Sequence, residues 1–436
     1  MSYKAKKMMI GVYWCPFATE KNYQALEDFG ADLVFLDQKL GDVGGEEYCK
    51  ALALCEKHKL KALMQDTRPE YRIKNIDDLD RYVNYFLKSS DAYTKYTSFF
   101  GYAYDEPDFD AMKLVATLRE PFLNKYPDAL FFVNLYAQYE HFGGASSVSY
   151  VQYLEEYCES VLLKLRGRKI LSFDYYPLLD IGEFGYIVRP QFLKTIETFV
   201  SVAKKYKAET HAFLQSVNQD PLAKGLKRDI TYNDLSLLAY SYIAFGVDHL
   251  SHFLYFYPHA KPDRTMITDE GDKTEMYFQA RKLNEELKLF DEVRLPYEYR
   301  DLMPVYGRKM PGRNAVLEYL DRRDGPEEIL SAVSDADLLL TKLTDESGRN
   351  AFCIINLNVM DPSADEKKFF AEFFITFEKS PAQLYYHGRR VRLEQGEMCG
   401  ICGYAAKFRM QGNVLYVKGL EPGQGIFITE ASYDKN

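Results

Sequence analysis

A single tryptophan, seven scattered cysteines and no long apolar run are what this 436-residue chain offers least of, and each shortage excludes something. No stretch approaches the ~18–20 apolar residues of a membrane-spanning helix, so a membrane is not an expected partner. The basic opening MSYKAKKMMIGVYW lacks the apolar core and small-residue cleavage site of a secretory leader. Positive charge is also short: 55 Lys and Arg against 64 Asp and Glu leave a net charge of −9, which argues against nucleic acid as a partner. An odd number of dispersed cysteines speaks against a disulfide framework and for a reducing, cytoplasmic compartment; secretion is expected only if a natural leader once preceded residue 1. The one Cys-x-x-Cys, Cys399 to Cys402, has no second pair to complete a zinc site and reads as a chance pair on a late strand. No Gly-x-Gly-x-x-Gly follows the first β-like run, which removes the main signature of a doubly wound dinucleotide-binding sheet. Neither a cofactor nor a metal is expected.

Aromatic residues are abundant: 36 Tyr and 29 Phe. Tyrosine has a flat apolar face and a polar tip, which suits sugar rings, core packing or a subunit interface, so a homo-oligomer stays open. Eight short β-rich runs punctuate the first ~300 residues: 8–14, 32–37, 61–66, 99–105, 129–136, 169–176, 210–216 and 249–256. They are continuously apolar rather than alternating, as a parallel sheet covered by helices on both faces requires. The segments between them have helical period. In PQFLKTIETFVSVAKKY, Phe192, Ile196, Phe199, Val200 and Ala203 share one face, and Thr231 and Gly246 suit the two ends of TYNDLSLLAYSYIAFG. Eight such units predict a (β/α)8 TIM barrel over 1–298. Three prolines and no periodicity in 295–312 mark a boundary. Short strands with turn residues between them then predict a small antiparallel β-sandwich over 299–436.

Active sites of such barrels lie at the C-terminal ends of the strands. Here the runs end in Tyr13-Trp14, Asp37-Gln38, Gln65-Asp66, Tyr104-Asp105-Glu106-Pro107, Asn134-Leu135-Tyr136, Asp174-Tyr175-Tyr176-Pro177, Gln215-Ser216 and Tyr255-Phe256-Tyr257. Carboxylates, amides and tyrosines crowd this rim, with almost no Lys or Arg, which fits a neutral polyhydroxylated ligand and not a phosphorylated one. Asp37 and Asp66 also suit capping of the turns that follow them. The adjacent acids Asp105 and Glu106, fixed by Pro107, are the hardest to explain as structure.

The Asp-Glu-Pro that ends the fourth run resembles the Asn-Glu-Pro of the large clan of barrel glycoside hydrolases. SFDYYPLL, LAYSYIAFGVDHLSHFLYF, TMITDEGDKTEMYFQARKLNEEL and the terminal GLEPGQGIFITE are similar to members near the family 42 β-galactosidases. The resemblance implies a glycosidase acting on an oligosaccharide or glycoside, with Glu106 as general acid/base. It also implies a glutamate nucleophile ending the seventh strand, where this chain has Gln215, and an amide cannot be that nucleophile. Three readings follow. Asp-Glu-Pro also resembles the dyad of the hexosaminidases in families 20 and 123, implying substrate assistance in which Asp105 orients a 2-acetamido group and Tyr175 or Tyr176 binds its oxygen. Alternatively Asp174, with Asp37 and Asp66 behind it, is the second carboxylate of a two-acid enzyme. Or Gln215 marks a non-hydrolytic carbohydrate-binding pseudoenzyme. Trp14, Asn134, Tyr136, Gln215 and Tyr255 are expected to bind sugar. A metal-dependent isomerase or Schiff-base aldolase finds only His259 near the rim and no lysine ending the sixth strand.

Overall fold

The computed structural model describes residues 3–37, 45–65, 76–138, 148–180, 186–217, 229–260, 264–308, 315–320, 324–359 and 365–430; Asp66 lies outside them. Eight parallel strands close into a barrel in chain order: β1 (Ile10–Val12), β2 (Leu33–Asp37), β3 (Lys61–Gln65), β4 (Phe99–Asp105), β5 (Leu130–Leu135), β6 (Ile170–Asp174), β7 (Glu209–Gln215) and β8 (His249–Phe253). A helix follows each strand: α1 (Glu20–Asp28), α2 (Glu46–Lys57), α3 (Ile76–Tyr93), α4 (Ala111–Lys125), α5 (Tyr150–Ser160), α6 (Phe192–Lys205), α7 (Tyr232–Ala244) and α8 (Glu275–Leu289). The apolar strands bury both faces. Leu33, Phe35, Leu63, Ala103, Leu130, Phe132, Ile170 and Phe213 fill the barrel, while their neighbours Val34, Leu36, Ala62, Met64, Tyr102 and Tyr104 pack beneath the helices. An added antiparallel hairpin, Leu178–Asp180 with Tyr186–Val188, follows β6. Its strands are three residues each, too short to show periodicity, and the sequence had suggested that β6 runs on to Tyr176.

Beyond the barrel lies an antiparallel β-sandwich. A six-stranded sheet carries Glu298–Val305, Leu338–Thr344, Asn350–Asn356, Gly425–Thr429, Gln383–Tyr386 and Arg389–Val391; a five-stranded sheet carries Ile329–Ser334, Ala371–Phe377, Val414–Leu420, Lys407–Gln411 and Cys399–Gly400. The first strand of each sheet has an irregular burial pattern, which hid it from pattern analysis. The inner faces share a core of Leu338, Leu340, Phe352, Ile354, Phe373, Ile375, Leu415 and Val417. The outer face of the six-stranded sheet lies on the barrel helices, with Leu339, Leu343, Cys353, Ile355 and Phe427 joining the barrel's outer core. Helix α7 is therefore covered on both sides, and Asp234 through Ala244 are all buried. Its N-terminus is closed by a capping box between Thr231 and Asp234, and Gly246, at φ +74°, follows its C-terminus. Gln424 donates to Ser236 Oγ at 2.8 Å and Thr341 to the carbonyl of Ala244 at 2.8 Å, extending the contact through polar groups. Among the described residues no helix is long and apolar enough to cross a membrane.

Gly101 shows how tightly the sheet is drawn together next to the site. Its φ is +150°, and a Cβ there would stand 1.8 Å from the carbonyl oxygen of Leu130 on β5. Gly101→Ala is therefore expected to destabilise the fold by about 2 kcal/mol or more in chemical denaturation; an unchanged midpoint would show that β4 and β5 can separate without loss.

Candidate active site

Alternation along the strands puts one set of side chains on the barrel's inner face at its C-terminal end. Leu63 leads to Gln65, Ala103 to Asp105, Phe132 to Asn134 and Ser172 to Asp174. Asp105 is paired in register with Asn134, and Asn134 with Ser172, and Asp174 is the next residue on the same face of β6 beyond Ser172. Glu106 is the next residue after Asp105 and would face away on a continuing strand. It does not, because the strand stops there. Glu106 takes a left-handed φ of +47°, and its N–H donates to the carbonyl of Asn134 at 2.9 Å. A left-handed residue that is not glycine is a strained choice of the kind found at functional sites. Behind it, the hydroxyl of Tyr153 donates to the carbonyl of Pro107 at 2.7 Å.

The carboxylates are held differently. Asp105 is half-buried; the hydroxyl of Tyr13 donates to its Oδ2 at 2.6 Å and Nδ2 of Asn134 to its Oδ1 at 3.1 Å. Gln65 in turn donates to the Tyr13 hydroxyl. Asp174 is 5% exposed. Burial first, and the nearby Asp105 charge second, push its carboxyl up to about 7, against the opposing effect of hydrogen bonds with Tyr176, Asn134 and Glu106. Two carboxyl groups can share a hydrogen bond only if one carries a proton. Asp174 therefore keeps its proton close to neutral pH, beside Glu106 and next to Asp105, a carboxylate supplied with donors.

An aromatic wall flanks the acids. Trp14, itself left-handed at φ +53°, lies 5.1 Å from the ring of Tyr257 and 5.7 Å from Phe253. Phe253 in turn lies 5.2 Å from Tyr176 and 5.2 Å from Tyr13. Tyr257 is 46% exposed, so part of this wall is open to a ligand.

Not every expected residue joins the cluster. Gln215 is buried, and both ends of its amide are engaged by one backbone unit: Oε1 accepts from the N–H of Leu178 at 2.8 Å, and Nε2 donates to its carbonyl at 3.1 Å. The expected sugar-binding amide is thus a clamp on the hairpin after β6. Tyr175 points outward and packs 5.7 Å from Phe192 of α6, because it sits one residue out of phase with Asp174. Tyr255 is fully buried in the helix layer, between Phe29 at 5.4 Å and Tyr277 at 6.5 Å, since the chain has left the barrel wall after Phe253. Neither tyrosine is placed to touch a ligand. Asp37 is buried at the end of β2, in register with Gln65 and within electrostatic reach of Tyr23 on α1. Tyr136 is half-buried, its N–H directed at the Tyr153 hydroxyl at 3.4 Å. Tyr13, Gln65, Phe253 and Tyr257 escaped selection, although counting by twos from Leu63 would have found Gln65. Among the described residues no group of three His, Cys, Asp or Glu side chains is arranged to hold a metal ion.

No protein-family model and no curated protein matches the sequence. Solved structures match it by shape. The chain is similar to the GH27 β-L-arabinopyranosidase of Geobacillus stearothermophilus over 99% of its own length and 98% of the other's, with a TM-score of 0.54 and 10% identity. It is similar to the α-amylase of H. orenii over 98% and 100%, at a TM-score of 0.51 and 9% identity. An Anoxybacillus α-amylase, described as a new glycosyl hydrolase subclass, matches over 100% of both chains at a TM-score of 0.50 and 11% identity. At such identities the likeness is one of fold, a (β/α)8 barrel with a C-terminal β-sandwich, shared from end to end.

Proposed function

We propose that the protein is a glycoside hydrolase whose acid proton is held by the Glu106–Asp174 pair and delivered to the leaving oxygen by Glu106. The observation that carries this reading is the placement of Asp105, Glu106 and the buried Asp174 together at the C-terminal mouth of the barrel, Glu106 brought there by its left-handed turn. Asp174 is buried and Glu106 half-buried, so Glu106 is the member that meets a ligand. Asp105, with donors on both oxygens, is the ionised group that faces the positive charge developing at the anomeric carbon. It does so either by bonding to that carbon or by orienting a 2-acetamido group of the substrate. Inversion needs carboxyls about 6.5–9.5 Å apart with a water between them, so Asp174, a close neighbour of Glu106, is not the base of an inverting pair. Trp14, Tyr257 and Tyr176 supply faces for a sugar ring. The fold shared with glycoside hydrolases supports the class, and the clamped Gln215 removes the seventh strand as a source of nucleophile.

Glu106→Gln is expected to lower kcat by about 10²–10⁴ with little change in KM, measured on aryl glycosides with galactosyl, glucosyl and N-acetylhexosaminyl groups. Full activity in that variant would remove Glu106 from the mechanism. Turnover restricted to the N-acetyl sugars would select the substrate-assisted role of Asp105, and tight binding without turnover would make the barrel a carbohydrate-binding module.

The proton on the pair also sets two pH dependences. Activity should fall on the alkaline side of about 7 as the shared proton leaves. Because the Asp174 carboxyl is raised in the folded chain, the folded state binds its proton more tightly than the unfolded chain does. That contribution to stability is full below the ordinary carboxylate range and is lost as pH rises through about 7. Asp174→Asn should therefore be inactive yet more stable than the parent by about 1–2 kcal/mol at pH 8, the difference vanishing near pH 4. Equal stability at both pH values would show that Asp174 is not strained by its burial.

A further inference from the structure

The barrel interior below the carboxylates is not wholly apolar. Ser172 Oγ lies 3.0 Å from Oδ1 of Asn134 and 2.9 Å from Nδ1 of His211, and Nε2 of His211 lies 2.7 Å from Ser251 Oγ. All four residues are buried, and His211 sits among the rings of Phe35, Phe132 and Phe213 at 6.4, 5.2 and 4.9 Å. Leucine or valine would fill these positions without any polar group to satisfy. The barrel even makes room for the chain on β1, where a Cβ on Gly11 would stand 2.0 Å from Ser251 Oγ.

A serine hydroxyl has one hydrogen, so with a neutral imidazole the chain can be ordered in only two ways. In one order Ser251 donates to Nε2 of His211, its Nδ1–H donates to Ser172, and Ser172 donates to Oδ1 of Asn134. Both amide hydrogens of Asn134 then point the other way, toward Asp105 at 3.1 Å and toward Asp174. In the reverse order the histidine carries its proton on Nε2, Ser172 donates to Nδ1, and Asn134 must turn its oxygen toward two carboxylates. Their charge selects the first order.

We infer that His211, as the neutral Nδ1–H tautomer, is a positioning residue for the carboxylate cluster, acting through Ser172 to hold both amide hydrogens of Asn134 on Asp105 and Asp174. A neutral ring is what its surroundings favour. Burial first, and then the charges of His249 and Arg168 beneath it, keep the imidazole well below the usual histidine range. From above, the charged and titratable groups coupled to the chain are Asp105, Asp174 and Glu106, with the Tyr13 and Tyr176 hydroxyls among their partners.

The direction of the chain stands on its geometry and on the charge of the carboxylates, whereas its effect on turnover rests on the glycosidase reading, and the test separates the two. Ring-nitrogen NMR of the full chain labelled at histidine should show His211 neutral and protonated on Nδ1 from pH 5 to 8. A ring protonated on Nε2, or one that becomes charged in that range, would overturn the inference whether or not any glycoside is cleaved. In kinetics, Ser172→Ala weakens the hold on Asn134, and a weaker donor lets the Glu106–Asp174 pair keep its proton longer. The alkaline limb of kcat/KM should move up by about one unit, roughly the loss of one charge-assisted hydrogen bond, and Ser172→Thr should restore it. A limb that stays in place in Ser172→Ala while the melting temperature falls would reduce the chain to a structural role. Absence of turnover in the wild type would refute the glycosidase reading and leave the tautomer measurement to decide the inference.

Discussion

Closure of a parallel sheet into a barrel leaves each strand with one face turned to a space that only side chains can fill, and the site depends on this constraint. Period-two alternation, carried up β4, β5 and β6 from Ala103, Phe132 and Ile170, delivers Asp105, Asn134 and Asp174 to the inner face at the barrel mouth. Residues separated by ~30–40 positions in sequence meet because strand order follows chain order. The left-handed turn at Glu106 adds the one acid that alternation would have sent elsewhere.

Burial then gives these groups their chemistry. Three carboxyl groups so close together and so little exposed cannot all be ionised, and the structure divides them. Asp105 receives a tyrosine hydroxyl and an amide, whereas Asp174 lies deeper, feels the Asp105 charge and shares a hydrogen bond with Glu106. Asn134 is the link between the two environments, and the Ser172–His211–Ser251 chain beneath it ties its amide to the middle of the barrel. Polar atoms here are satisfied in sequence, each one fixing the direction of the next.

The β-sandwich bears on the site through packing. Its six-stranded sheet covers α7 and shares the barrel's outer core, so the helix between β7 and β8 has no solvent face. Those two strands carry Gln215, which clamps the hairpin after β6, and Phe253 of the aromatic wall. The sandwich thus packs against the helix that joins the two strands carrying these residues.

Much of this was legible in the residues themselves. Continuous apolar runs separated by helical segments determined a covered parallel barrel, because a strand buried on both faces needs no polar side. Strand-end composition determined a rim of acids, amides and tyrosines, and Pro107 after two acids singled out Asp105 and Glu106. Tertiary structure decided the rest. Unbroken apolar strands conceal which alternate residues face inward, so Tyr175 and Tyr255 looked like rim residues and lie under helices, whereas Tyr13 and Gln65 proved to be part of the hydrogen-bond network. Whether Gln215 met a ligand or the backbone depended on a hairpin too short to leave a pattern. The pairing of Glu106 with Asp174 depended on a single positive φ. Sequence fixes which groups exist and how often they recur; which of them share a proton is set by distance and burial, and these exist only once the barrel has closed.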